Sequence, residues 1–384
     1  MRITSVDIHA MGTSWRNLIF VKVNTDEGLY GVGEATIQNR EEAVLAYLAA
    51  AVRRFVVGSD PFDIEQLWLR MYRDDYWRGG VIQTTAMSAI EIACWDIVGK
   101  AAGLPIYKLL GGRAHDRIKC YANGWYTVER TPEEFARLAK ETVARGFKAL
   151  KVDPFGAGFY ELNRDERIRS VELVEAIRDA VGPDVEIFIE GHGRFSPQSA
   201  VEIARDLEPF RPGWFEEPVP PENLAALQEV KQRVSVPIAT GERMFTRFAF
   251  PELLERRCAD IIQPDVIHAG GILEMKKIAA MADAYYRVMA PHNANSPLCT
   301  MASLHFGFST TNFKIQETFD DFTDEWVWAA LPGAPRQRDG FYEPPTAPGL
   351  GIDLNLDVIA EHPFCEGFFN LFAEDWHKRQ FAQR

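Results

Sequence analysis

Six titratable residues recur along this chain at one spacing. Glu190, Glu216, Glu242, Asp265, His292 and Glu317 are separated by 26, 26, 23, 27 and 25 residues. Each stands near the C-terminal end of a short apolar run: VEIFIEGHG (185–193), GWFEEP (213–218), PIATGE (237–242), IIQPDVI (261–267), YRVMAPHN (286–293) and FKIQET (313–318). Three carboxylates brought within a few ångströms repel each other strongly unless a cation intervenes. Glu190, Glu216 and Glu242 are therefore candidate ligands of a hard divalent ion, Mg²⁺ by preference, with Mn²⁺ compatible with the same oxygens. Asp265 and His292 come from the next two runs. A carboxylate bonded to an imidazole raises its basicity and fixes its tautomer, so the pair reads as a general base. His192, two residues past Glu190, is expected on the same face of the strand end and could protonate a leaving group.

Further candidates have more than one reading. Lys151 ends an earlier run, ALKVDPFG (149–156), with Asp153 two positions on. The lysine could neutralise a substrate carboxylate, act as acid or base, or sit in an ion pair at the rim. Glu317 could hydrogen-bond an enolate oxygen if it were held protonated. Glu217 should point away from Glu216 by alternation, and His268 is expected in a loop. Trp15-Arg16 and Tyr76-Trp77-Arg78-Gly79-Gly80 offer aromatic, cationic and flexible residues suited to a lid over a polar anion, so Arg16, Trp77, Arg78 and Asp153 are candidate substrate contacts.

The runs that carry these residues imply their scaffold. With IKCYANG (118–124) there are eight, and helical patterns separate most of them. Eight strands alternating with helices predict a closed α/β barrel whose strand C-termini ring one mouth, where chemistry is done. An open doubly wound sheet would be expected to carry a glycine-rich dinucleotide fingerprint, and none occurs. Before the barrel, residues 1–36 alternate like antiparallel strands. Helical patterns follow over 40–57, after Asp60-Pro61 and over 83–102. The expected division is an α+β domain over 1–117, a barrel over 118–344 and an aromatic, Pro- and Gly-rich tail over 345–384 that packs on the first domain.

Composition narrows the class. The 384 residues are 47% apolar and carry a net charge of −13, which disfavours nucleic acid and anionic membrane surfaces as partners. Five scattered cysteines without a CxxC read as reduced thiols. With no apolar leader, this points to the cytoplasm. GxSxG, P-loop and binuclear HxH motifs are missing.

Taken together, the helix AIEIACWDIVGKAAGLPIYKLLGG and the segments IEGHGRF, WFEEPVPPEN, ATGER, QPDVIHAGGI and APHN resemble the enolase superfamily, in its mandelate racemase-like branch. The resemblance implies an α+β cap over a modified TIM barrel, (β/α)₇β, with Mg²⁺ on Glu190, Glu216 and Glu242 and Asp265–His292 as base. Two departures stand out. The first metal ligand, commonly Asp, is Glu190, and the Lys-x-Lys motif of the racemases reads Lys151-Val152-Asp153, which removes the base for the opposite face. His192 instead resembles the acid sugar dehydratases. The implied reaction is dehydration of an aldonic acid to a 2-keto-3-deoxy acid through a metal-stabilised enediolate, with a small acid sugar as partner and a homo-oligomer, an octamer by resemblance, as assembly. Epimerisation, racemisation or cycloisomerisation on the same scaffold is the alternative, and a non-catalytic sugar-acid binder the remoter one.

Overall fold

In the computed structural model, which describes residues 1–381, the chain begins with a three-stranded antiparallel sheet, β1 (Ile3–Gly12), β2 (Asn17–Thr25) and β3 (Tyr30–Glu34). Three helices cover it: α1 (Glu41–Ala51), α2 (Ile64–Arg73) and α3 (Val81–Ala102). Helix α2 starts three residues later than Asp60-Pro61 suggested. Helix α3 is long and apolar, but most of it is buried. Strand β3 lies directly on it: a Cβ at Gly31 or Gly33 would come within 1.9 or 2.1 Å of the carbonyls of Ala93 and Ala89. Glycine is needed there for contact rather than for conformation.

After a short helix, α4 (Ile106–Leu109), the parallel strands follow: β4 (Ile118–Ala122), β5 (Ala149–Val152), β6 (Glu186–Glu190), β7 (Trp214–Glu216), β8 (Ile238–Thr240), β9 (Ile261–Ile262), β10 (Val288–Met289) and β11 (Gln316–Thr318). They pair in sequence order, and β11 pairs with β4. Closure comes from the segment leading into β11, where Phe313 pairs in parallel with Met289. Seven helices join the strands: α5 (Pro132–Ala144), α6 (Arg164–Val181), α7 (Pro197–Leu207), α8 (Leu224–Arg233), α9 (Phe250–Glu255), α10 (Ile272–Ala284) and α11 (Pro297–Phe308). The result is the (β/α)₇β barrel with its antiparallel capping sheet. Several loops begin their helix with the same device. Thr131-Pro132, Ser196-Pro197 and Ser296-Pro297 place a hydroxyl on an orphan N–H and a proline in the first turn.

The barrel interior explains where the chemistry sits. Each strand, or the residue beside it, contributes one side chain to a buried layer: Tyr121, Ala149, Phe188, Trp214, Ala239, Ile261, Ala290 and Ile315. Large and small residues interleave. Phe188 and Trp214 stack at 3.5 Å between ring centroids, with Tyr121 edge-on to both. Two residues further on, at the next inward position, stand Asn123, Lys151, Glu190, Glu216, Gly241, Gln263, His292 and Glu317. The polar ring is thus the layer immediately above an aromatic floor.

Beyond β11 come α12 (Glu325–Ala330), β12 (Phe341–Tyr342) and α13 (Leu356–Glu361). Strand β12 pairs antiparallel with β4, an addition the sequence pattern did not suggest. The tail returns to the first sheet, where Asn17 bonds the backbone of Cys365 and Asn39 that of Phe369. It then crosses to the barrel mouth, where Arg379 reaches the carbonyl of Gly124.

Candidate active site

Glu190, Glu216 and Glu242 each offer an oxygen within 4.8 Å of the others. Glu190 and Glu216 end neighbouring strands and are directly paired in register. Glu242 follows Gly241, whose φ of +139° bends the chain beyond β8. Lys151 lies at the floor of this group. Its Nζ is 2.7 Å from Glu216, 2.8 Å from Glu317 and 3.2 Å from Glu190, and the side chain is buried. Glu216 also accepts from Trp214 Nε1 and Gln263 Nε2. Desolvation pushes Glu190 up to about 7 and Glu216 well above the ordinary carboxyl range, where like charge adds to the shift. Three glutamates share one ammonium here. A hard divalent cation fits this donor set: it would satisfy Glu190 and Glu216, which burial otherwise forces toward protonation, and Glu242, which against burial His292 and Arg243 hold down to about 2, is already anionic.

His292 Nδ1 is 2.8 Å from Asp265 Oδ2, and its Nε2 is 3.4 Å from Glu242 Oε2. Asp265 also accepts from Asn295 Nδ2 and from the Ile267 amide, which anchors the carboxylate from several sides. Burial disfavours the imidazolium, but Glu242 and Asp265 outweigh it and raise His292 to about 10. His268 follows Asp265 in a turn, as expected, yet it is largely covered. Its Nδ1 meets Thr85 Oγ1 at 2.8 Å, and burial lowers its pKa.

Across the carboxylates, His192 Nδ1 is 2.5 Å from Asp153 Oδ2. His192 does reach the face of Glu190, but through a turn with φ of +49° rather than by strand alternation. Its amide donates to Glu190 Oε1, which locks the turn to the carboxylate. Asp153 is wholly buried and receives both oxygens' worth of bonds from Arg194 Nη2, at 2.7 and 2.6 Å. Against the cost of burial, Arg194 and His192 hold it down to about 2. Trp376 from the tail presents an edge to His192, with ring centroids 5.4 Å apart.

Several expectations need correction. Asp153 is not a substrate contact, because Arg194 and His192 use both of its oxygens and it lies beneath His192. Trp77 and Arg78 stand exposed on the loop before α3 instead of covering the carboxylates. Glu317 is not held protonated. Lys151, Asn123 Nδ2 and the Asn293 amide all donate to it, and despite burial its pKa falls below the usual value. Arg16 is at the mouth but buried, with Nη1 on the carbonyl of Ala294 and its guanidinium 3.6 Å over Trp15. Glu217 does turn away from Glu216 and pairs with Arg243. The spacing argument passed over Arg194, Gln263 and Trp376. Gln263 could have been found, since it lies one inward step beyond Ile261; Arg194 and Trp376 carry no periodic signal.

Comparison with known proteins agrees with this arrangement. Residues 134–358 match the family described as enolase C-terminal domain-like, and residues 3–111 match the mandelate racemase / muconate lactonizing enzyme N-terminal domain. A D-mannonate dehydratase of Sphingomonas sp. (strain SKA58) is 36% identical over 92% of this chain and 93% of its own length. A D-gluconate dehydratase of Thermoproteus tenax is 38% identical over 90% of this chain and 69% of its own. A solved structure of a mandelate racemase/muconate lactonizing enzyme from Jannaschia sp. CCS1 superposes with a TM-score of 0.89 at 35% identity, covering 95% of this chain and 98% of that one.

Proposed function

The chain belongs to the mandelate racemase / muconate lactonizing enzyme family of enolase-like proteins, and from that premise we propose that it dehydrates an aldonic acid to a 2-keto-3-deoxy acid. One observation carries the reading: two Asp–His pairs, from strand ends four positions apart, stand on either side of a carboxylate trio. Glu190, Glu216 and Glu242 would hold the divalent cation, with Mg²⁺ the preferred ion and Mn²⁺ the alternative. Such an ion supplies positive charge against the oxygens of the enediolate.

The chain's own residues then divide the proton work. His292 Nε2 takes the C2 proton while Asp265 keeps Nδ1 occupied. Lys151 lends its charge to the developing anion. His192, with Nδ1 held by Asp153, offers Nε2 to the 3-hydroxyl. The C3–O bond breaks, water leaves with that proton, and the enol tautomerises by taking a proton at C3. The two histidines flank the substrate, so anti elimination follows. Glu317, itself held by Asn123, orients Lys151 rather than donating a proton.

The same two pairs support a second reading. If His192 returned a proton to C2 instead of C3–OH, the product would be the C2 epimer. Incubation with pooled aldonates and Mg²⁺, against a chelated control, separates these. Dehydration gives a 2-keto acid that semicarbazide detects. An epimeric aldonate without it supports epimerisation, and no turnover of any acid sugar refutes both. We further propose a cytoplasmic homo-oligomer, in keeping with the scattered cysteines and the family resemblance.

A further inference from the structure

Two arginines from opposite ends of the chain meet at the barrel mouth. Arg16 lies between β1 and β2, and Arg379 lies in the tail. Both side chains are more than nine-tenths buried. Arg16 donates Nη1 to the carbonyl of Ala294, two residues past His292. Arg379 donates Nη1 to the carbonyl of Gly124, beside Asn123. A guanidinium has five N–H donors, so each has committed a small part of its capacity. Among the described residues neither forms an ion pair, although every other deeply buried arginine does: Arg130 with Glu166 and Arg194 with Asp153.

Aromatic faces take the place of carboxylates. Arg16 stands 3.6 Å from the Trp15 ring centroid and 5.5 Å from that of Phe319. Arg379 stands 4.4 Å from Phe319, 5.3 Å from Tyr126 and 5.7 Å from Trp15. Trp15 and Phe319 touch each other, with centroids 5.7 Å apart, so both cations share one platform. The barrel has been cleared for the second of them: a Cβ at Gly124 would meet Arg379 Nη1 and the Phe319 ring at 2.9 Å. Burial and the charge of Arg379 together depress Arg16 to about 9. Glu34, Glu41 and Asp265 act on Arg16, and Glu317 on Arg379, without contact. Two like charges held in a desolvated place, on a platform that orients them without neutralising them, form a receptor for an anion.

The carboxylate at C1 does not need this receptor, because the site described above already provides for it with Lys151 and the cation held by the glutamates. We infer that Arg16 and Arg379 receive a second anionic group at the far end of the sugar chain, a carboxylate or a phosphate, so that the preferred substrate is a terminally charged aldonate. The inference rests on the dehydratase reading and narrows its substrate class.

Matched sets test it: D-gluconate, D-glucarate and 6-phospho-D-gluconate, with the galacto and manno counterparts, each assayed with Mg²⁺ for 2-keto acid. In the wild-type enzyme kcat/KM for a doubly charged member should exceed that of its matching aldonate by about 100-fold or more, mainly through KM. Preference for the aldarate or for the phosphate then identifies which anion the pair receives. Arg379→Met and Arg16→Met should each cut that ratio about tenfold, and Arg379→Lys should restore part of it. Plain aldonates turned over as well as or better than their charged counterparts would overturn the inference and leave the dehydratase reading intact. Failure to dehydrate any member removes both. Should the arginine variants not fold, the wild-type panel decides alone.

Discussion

The two walls of the site use the same pair of residues in different surroundings. On one side Asp265 holds His292, and the aspartate's other partners are neutral or weakly basic: Asn295, a backbone amide and the more distant His268. On the other, Asp153 holds His192 but is also gripped by a buried arginine. Asp265 therefore directs its charge mainly at the imidazole, and Glu242 at 3.4 Å adds to it. Asp153 is shared between Arg194 and His192, and its bond to Nδ1 fixes the orientation of the His192 ring. A base is served by an electrostatic pull on the proton it accepts, which Glu242 and Asp265 supply to His292. The contrast supports the proposed roles of His292 as base and His192 as acid.

The sharpest way to break this contrast is to remove each histidine. His292→Asn should lower dehydration by about 10³- to 10⁴-fold and abolish exchange of the C2 proton with D₂O, read by NMR. His192→Asn should lose dehydration to a similar degree yet keep the C2 exchange. Equal loss of exchange in both variants would erase the distinction between the walls.

Exchanging the aspartates gives a smaller, differently distributed effect. Asp153→Asn leaves Arg194 buried without its counter-ion, which costs about 3–5 kcal/mol by analogy with other broken buried pairs. A denaturant titration should therefore show a large drop in stability. Asp265→Asn leaves Glu242 still beside the His292 imidazolium and should cost activity, about 10²-fold, with much less stability. Comparable unfolding midpoints for the two variants would argue against Arg194 as the difference.

The smallest effect is one of protonation. Glu242 and Asp265 raise His292 to about 10, so its imidazolium persists up to that pH and is lost above it. Engaging Glu242 with a cation weakens the pull and must lower the value, so the basic form appears at lower pH. An NMR titration of the histidine signal missing in His292→Asn should move down by about a unit or more when Mg²⁺ is added to chelated protein. No movement would detach Glu242 from the setting of this base.

Much of the barrel and its ring was legible because both follow from one periodicity. A βα unit repeats at nearly constant length, so Glu190, Glu216, Glu242, Asp265, His292 and Glu317 announced their convergence by spacing. The family resemblance then supplied the cap and the reaction class. What spacing could not reveal depended on turns and on distant chain. Arg194 reaches Asp153 from a loop after β6, and Asp153, placed inward by the same rule as Lys151, was therefore mistaken for a substrate contact. Trp376 and Arg379 come to the mouth from the opposite terminus. Protonation was also illegible: Glu317 in isolation could be acid or anion, and the donors around it, Lys151 foremost, decide.

The interleaved plug of Tyr121, Phe188, Trp214 and their small neighbours has a consequence for how such an enzyme can change. It fastens the staves together below the mouth, so mechanical integrity and reactivity occupy separate storeys. Residues at the upper storey can then be exchanged, as aspartate for glutamate at 190, with the cylinder beneath undisturbed. Evolution inherits a stiff drum whose rim can be rewritten one residue at a time.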